Sequence, residues 1–453
     1  MIKIKPMKHQ SETLKLMDKT PILFDMSDPG TGKTFVEIAA FAKRRKKGGG
    51  RLLVLAPKSL LQPAWGNDFN KFEPTIVCSI AYAENRAEAF DIDADVYITN
   101  IDATVWLAKQ PKSFFAGFDS IVVDEGTAYK HHTSQRSKAL HKIKKYFKYR
   151  SNLSGTPNPN TICDIWNQVN FLDDGKRLGH SFYAFRQSVC IPKQVGSRKE
   201  MIQWVDKDGA EEAVFSLLAD ITIRHRFADC IDIPPNHQYT LPYVLSPKQL
   251  RTYKEMEKTQ IALLSKDSAV TAINAAAVTT KLLQIASGAV YEHSEKYHLI
   301  DSGRYEMVLD LVEERKHSIV FFLWQHQRDL LIKEAQKRKI KYCVFDSNAS
   351  QTARAEMVRD YQAGFYQVIF GHPASMAHGL TLTQGTATIW PSPTYNLEHF
   401  KQGNKRHDRN GQTSKTETIV VVAPGTLEET VYKKMQDKNI RMLNLLDLFT
   451  EVA

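Results

Sequence analysis

Two blocks of this sequence alternate short β-rich runs with helix-length segments, and few folds accommodate such a pattern. The first block carries ILFDM (22–26), LLVLA (52–56), VYIT (96–99) and SIVVDE (120–125). The second carries SIVFFL (318–323), KYCVF (341–345), YQVIF (366–370), ATIW (387–390) and ETIVVV (417–422). Strands separated by helix-length segments read as βαβ units around parallel sheets. From Thr161 to about Val290 the text is mostly helical, including QLRTYKEMEKTQIALL and AVTAINAAAVTTKLLQIA. The expectation is an α/β chain of two parallel-sheet lobes with helical material between them.

The length of 453 residues fits that expectation, since domains commonly take about 100 to 200 residues each. Hydrophobic residues at 42% and charged residues at 25% exclude wholesale disorder. The 61 Lys and Arg exceed the 50 Asp and Glu by 11, which favours a polyanionic partner. Cys78, Cys163, Cys190, Cys230 and Cys343 are odd in number and form no CxxC pair. Neither a disulfide framework nor a zinc site is suggested, and a reducing cytoplasm fits best. No apolar run approaches the ~18 residues of a membrane span, and MIKIKPMKHQ lacks a signal-peptide core. KRRKKGGG (43–50) reads as a helix C-terminus followed by a turn.

SDPGTGKT (27–34) follows a strand and precedes the helical text FVEIAAFAKR. In such a loop, Asp28, Pro29, Gly30, Thr31, Gly32, Lys33 and Thr34 form a phosphate cradle. The glycines let backbone N–H groups turn inward, Lys33 reaches the β and γ phosphates, and the Thr34 hydroxyl can bind Mg²⁺. Ser27 stands where the general pattern has its first glycine. The apolar strand IVV ends in Asp124 and Glu125. Beside a phosphate loop, Asp124 can hold the Mg²⁺ and Glu125 can polarise the attacking water, so the two motifs together point to nucleotide hydrolysis. The adjacent His131 and His132 have no accompanying carboxylate or cysteine cluster and read as a basic loop.

With these motifs in order, the chain resembles the Swi/Snf-type ATPases of helicase superfamily two, in a compact form similar to phage or bacterial members. Lys8, His9 and Gln10 are similar to the opening motif, whose glutamine reads adenine. LVLAPKSLLQPAW (53–65) matches the second motif, and DEGTAYK departs from the family text at Gly126 and Thr127 while keeping Lys130. LSGTPNPNTICDIWNQVNFL (153–172) resembles the motif in which Ser154 and Thr156 would couple hydrolysis to lobe movement. RHRFADCIDIPPNHQYTLPYVLSPKQLRTY (224–253) resembles the interlobe brace, and FDSNASQTAR (345–354) a strand and loop ending in Arg354. SMAHGLTLTQG (375–385) is similar to the fifth motif, with His378 in a glycine position. QGNKRHDRNGQ (402–412) keeps Gln402, Arg406 and Arg409 of the sixth. Three residues apart, the two arginines would share a helical face and reach the γ phosphate across the interlobe cleft.

The resemblance implies two RecA-like lobes: residues 1–232, with a helical insertion at about 173–223, and residues 233–453, with a helical brace at about 245–300. It implies ATP and Mg²⁺ as cofactors, with Lys33, Asp124, Glu125, Gln402, Arg406 and Arg409 catalytic. It further implies that Lys58, Ser59, Thr99, Asn100, Lys130, Trp324, Gln325, Ser375 and His378 face DNA. The leading expectation is a DNA translocase or helicase acting on forked or four-way DNA, without base specificity and away from membranes. Displacement of DNA-bound proteins, a restriction-system motor, an RNA helicase and a non-catalytic scaffold are the alternatives. The last would need a broken site, whereas Lys33, Asp124, Glu125, Arg406 and Arg409 are all present.

Overall fold

The computed structural model describes residues 5–194, 202–230, 234–264, 269–293, 296–345, 349–376, 380–407 and 411–450. The chain divides into two compact units, Met1–Asp232 with Lys438–Ala453, and Ile233–Asp437.

The strands in chain order are β1 (Ile22–Asp25), β2 (Arg51–Ala56), β3 (Cys78–Ala81), β4 (Val96–Asn100), β5 (Phe118–Asp124), β6 (Tyr149–Leu153), β7 (Cys190–Gln194), β8 (Ile202–Asp206) and β9 (Thr222–Ile223). They continue with β10 (Asn236–Pro242), β11 (Ala289–His293), β12 (Lys296–Leu299), β13 (Ser318–Phe321), β14 (Tyr342–Phe345), β15 (Val368–Gly371), β16 (Ala387–Trp390) and β17 (Thr416–Val422). The first unit holds a seven-stranded sheet in the order β3-β4-β2-β5-β6-β1-β9, with every pairing parallel. The second holds a six-stranded sheet in the order β10-β17-β16-β13-β15-β14, also parallel throughout. The two expected parallel sheets are present. Parallel sheets bury both faces, which explains the apolar runs LLVLA in β2 and IVVV in β17. Leu52 and Val54 of β2 pack with Ile98, Val122, Ile38, Phe41 and the indole of Trp65. In the second unit Val320, Phe370, Ile389 and Ile419 pack under Val308, Leu309 and Leu331.

Four strands of the two sheets lie outside the runs named from the sequence: β3, β6, β9 and β10. β6 is YRSNL and β10 is NHQYTLP, and their polar residues hide the strand pattern. Their neighbours in the sheets supply the partners that composition does not advertise. The expected helical insertion also needs correction. It contains helices Phe182–Val189 and Ala210–Leu218, but between them β7 and β8 pair as an antiparallel ribbon. The expected brace likewise contains helices Pro247–Leu264 and Ala269–Ala286 followed by the antiparallel pair β11–β12. Arg354 lies within the helix Gln351–Gln362, beyond the loop. KRRKKGGG does end a helix, Lys33–Arg45, with Gly48 at φ 80° in the following turn. Among the described residues no helix is long and apolar enough to cross a membrane.

Candidate ATP site

Ligand sites in open parallel sheets form at the carboxyl ends of the strands. Here Asp25 of β1 pairs with Leu153 of β6, and Leu153 pairs with Asp124 of β5. The phosphate loop, Ser154 to Thr156, and Glu125 therefore leave the sheet at one level. The acidic pair lies one strand further from the loop than adjacency would give, because β6 intervenes.

The loop is built for backbone donors. Gly30 and Gly32 adopt φ of 91° and 84°, values that L side chains rarely take. Gly32 is the N-cap of helix Lys33–Arg45, so Lys33 and Thr34 occupy its first turn, where the helix dipole favours an anion. Lys33 Nζ donates to the carbonyls of Ser27 at 2.6 Å and Asp28 at 3.2 Å. Ser27 takes the first-glycine position without a left-handed backbone. Its N–H donates to Asp25 Oδ1 at 2.8 Å, and its hydroxyl accepts from the N–H of His225 at 3.0 Å.

That last contact exposes a feature the sequence did not disclose. The segment after β9 braces the loop: Arg224 Nη1 donates to Asp28 Oδ1 at 2.7 Å and to the Met26 carbonyl at 3.1 Å. The N–H of Phe227 donates to Asp28 Oδ2 at 3.0 Å. Asp28 is thus a bracing residue of the loop in this structure. Gln10 Nε2 and His9 Nε2 meet the carbonyl of Thr31 at 3.4 and 2.8 Å, and the Thr31 hydroxyl donates to the Asp28 carbonyl. A cavity of about 350 Å³ is lined by residues that include Lys8, His9, Glu12, Arg224, His225 and Arg226. The cue for this brace was an arginine in RHRF directly after a short β segment, read above as interlobe material.

Asp124 is oriented by a buried indole. Trp65 Nε1 donates to its Oδ2 at 2.9 Å, and the N–H of Glu125 donates to its Oδ1 at 3.0 Å. Glu125 itself sits at φ 54° and ψ 52°, a strained backbone for a residue with a Cβ and one that clusters at active sites. The next two residues account for the departure from the family text. A Cβ on Gly126 would fall within bonding distance of Asn152 Oδ1, so only glycine fits over that side chain. The Thr127 hydroxyl meets Ser154 Oγ at 2.6 Å and donates to the Thr156 carbonyl at 2.8 Å. Ser154 and Thr156 are both buried, and the N–H of Ser154 donates to the Asp25 carbonyl at 3.0 Å. β1, β5 and β6 are thereby tied together at their carboxyl ends.

The cradle, the Lys33 ammonium and the Asp124 carboxylate fit a magnesium–nucleoside triphosphate. Thr34 and Asp124 are the residues that would hold the ion, whose contribution is to neutralise phosphate charge.

Beneath the loop helix, Glu37 is fully buried, and burial pushes its carboxyl up to about 7, partly opposed by Arg44.

The expected DNA-facing residues of the first unit separate. Lys58 and Ser59 are exposed in the short helix after β2, and Lys130 is half-buried. Asn100 Oδ1 accepts from Arg86 Nη2 at 2.9 Å. Thr99 requires correction: it is wholly buried in β4, its hydroxyl donating to the Ala81 carbonyl at 2.8 Å, so it presents no group to a ligand.

In the second unit, Trp324 and Gln325 follow β13, with Trp324 stacked on His326 at 5.8 Å between centroids. Ser375 lies in the short helix after β15, and His378 falls outside the described residues. Gln402 is buried in the helix Leu397–Asn404 and donates to Glu398 at 3.4 Å. The helix ends before Arg406, which lies in a turn, so the expected helical face is not formed there. Arg406 is buried, donating to the carbonyls of Gln402 at 2.8 Å and Leu380 at 3.1 Å. Arg409 lies outside the described residues.

A profile of the SNF2-related domain matches residues 13–288. Protein p41 of Acyrthosiphon pisum secondary endosymbiont phage 1 is 30% identical over 434 residues, covering 90% of this chain and 91% of that protein. An uncharacterised ATP-dependent helicase of Mycoplasma pneumoniae is 23% identical over 428 residues, 90% of this chain but only 38% of the helicase. A Sulfolobus solfataricus SWI2/SNF2 ATPase core solved in complex with double-stranded DNA is 21% identical with a TM-score of 0.45, covering 98% of this chain and 94% of that one. With the family profile matching over half of its length and the phage relative aligned over nine-tenths of both chains, the chain belongs to the SNF2-related family.

Proposed function

We propose that this protein is an ATP-driven DNA translocase that separates or migrates strands at forked and four-way DNA, in the cytoplasm of a bacterium or phage-infected cell. The observation that carries the reading is the in-register convergence of Asp25, Leu153 and Asp124. It brings a phosphate loop, an acidic pair and a hydroxyl latch to one edge. Lys33 binds the β and γ phosphates, and Glu125 orients the attacking water and takes its proton. Gln10 reads the base, and Thr34 with Asp124 holds Mg²⁺. Gln402, Arg406 and Arg409 serve turnover by their likeness to the sixth motif. Ser154 and Thr156, held by Thr127, pass the state of the acidic pair to the segment that follows β6.

The excess of 11 positive charges and the exposed Lys58 and Ser59 suit backbone contacts that position without specifying sequence. The phage relative, matched over nine-tenths of both chains, supports a phage setting.

The test is ATP turnover against duplex, single-stranded, forked and four-way DNA and against RNA, with strand products followed in parallel. The expected result is several-fold stimulation by DNA, much less by RNA, and strand products only with hydrolysis. DNA affinity should fall with salt at a log–log slope of about −0.9 per duplex phosphate neutralised. Duplex stimulation without strand products would favour displacement of DNA-bound proteins. Equal stimulation by RNA would overturn the DNA reading.

A further inference from the structure

A second cavity lies where the insertion before Arg224 meets residues 130–133 and 161–164, and it shares no lining residue with the first. It measures about 310 Å³, and its walls include Lys130, His132, Asp164, Phe182, Arg186 and Trp204. Its rings form a connected cluster. His132 stacks on Phe182 at 4.1 Å between centroids with planes 29° apart, and both meet Trp166 and Tyr183 edge-on. The imidazole is biased towards its neutral form by burial and then by the cations around it, which suits a stacking role.

Arg186 is the informative residue. Its guanidinium lies 4.0 Å above the Trp204 ring and within 5.6 Å of Phe182 and 5.4 Å of Tyr183. Yet its Nε is buried with no hydrogen-bond partner among the described residues. A guanidinium carries five donors in a planar fork, and leaving a buried donor unmade is costly. The Nε of buried Arg304 is likewise unpaired, but its outer nitrogens are tied to Glu428 at 2.9 and 3.0 Å. Arg186 is instead packed among rings, and among the described residues its outer nitrogens make no hydrogen bond. Asp164, largely buried at the same wall, already uses Oδ2 to accept from Asn160.

Flat rings, a stacked guanidinium with free donors and a nearby ammonium match an unstacked nucleobase with its phosphate. Proteins hold single-stranded nucleic acid with aromatic platforms and arginine planes, and a base presents acceptors at its edges that such donors reach. We infer that the cavity lined by Phe182, Arg186 and Trp204 binds an unpaired nucleobase of the DNA, so that this insertion, rather than the ATP site, supplies preference for forks over plain duplex. The inference rests on the DNA-translocase reading and adds the structural feature of the substrate that is recognised. A duplex offers no unstacked base, so duplex-driven turnover should not need the cavity.

The experiment uses the full chain and a forked DNA with 2-aminopurine in one unpaired arm, alongside a duplex of equal length. The wild type should quench the 2-aminopurine and bind the fork about tenfold more tightly than the duplex, the scale of one or two stacking contacts. Arg186→Gln and Trp204→Ala should lose the quenching and the tenfold preference, with duplex-stimulated ATPase unchanged, and Trp204→Phe should retain both. Arg186→Gln removes no ion pair among the described residues, so it tests the cavity even if Trp204→Ala disturbs the ribbon. Equal quenching and fork preference in Arg186→Gln and wild type, with duplex stimulation intact, would overturn the cavity and leave the translocase standing. Absence of stimulation by any DNA would overturn both.

Discussion

The hydroxyl of Thr127 lies 2.6 Å from that of Ser154, joining the residue two past Glu125 to the first residue after β6. Because Thr127 also donates to the Thr156 carbonyl, one side chain bridges the two segments assigned to hydrolysis and to coupling. Thr127→Val keeps the shape and removes the hydroxyl. It should leave ATP binding near wild type, reduce DNA-stimulated turnover about tenfold, and lower stability by about 1–2 kcal/mol. Thr127→Ser should restore both. Nucleotide affinity, steady-state ATPase and denaturant unfolding read the three quantities, and normal stimulation in Thr127→Val would remove the bridge from the coupling path.

Gly126 and Asn152 form a matched pair. Gly126→Ala should lower stability by about 1–3 kcal/mol through overpacking, because its Cβ would meet Asn152 Oδ1. Asn152→Ala alone removes a hydrogen bond to Gln168, but the double variant should recover part of the loss. Urea unfolding of the four proteins gives the cycle, and simple additivity would show that the two residues do not share the space.

Lys33→Ala should abolish hydrolysis and weaken ATP binding, whereas Glu125→Gln should bind ATP normally and turn over at least ~100-fold more slowly. Equilibrium binding of a fluorescent nucleotide with single-turnover hydrolysis separates the two. Full activity in Glu125→Gln would remove it as the base.

Glu37 gives a stability term that depends on pH. Its folded carboxyl is raised from 4.5 to about 7 by burial, so between those values the native state binds more protons than the unfolded one. Stability is therefore fully present below the lower value and is lost as pH rises towards the upper one. Glu37→Gln should match wild type at low pH and exceed it at pH ~8 by up to roughly 3 kcal/mol. Thermal or urea unfolding at several pH values checks the slope, and a constant difference across pH would show that the carboxyl titrates alike in the folded and unfolded states.

Arg406 and Arg409 should differ from Lys33. Substitution of either by Ala should leave nucleotide affinity largely intact and cut DNA-stimulated turnover by about 10³-fold. Normal turnover in both variants would remove the sixth motif from the reaction.

The sequence by itself determined the α/β class, the two strand-rich blocks, and the places of the glycine-rich loop after β1 and of the acidic pair at the end of β5, because those depend on local periodicity and short fixed spacings. Gly30, Gly32, Lys33 and Thr34 are close in the chain, and a strand ending in Asp124 and Glu125 announces itself by its apolar run. Only the tertiary structure decided what lies between and behind them. β6 is polar in sequence and becomes a central strand through pairing with β1 and β5. Arg224 reaches Asp28 from 196 positions along the chain, and Trp65 reaches Asp124 from 59. The burial of Thr99 and the ribbon inside the expected helical insertion follow the same rule. Each depends on which strands become neighbours, and strand order is set by packing across the whole sheet rather than by any local pattern.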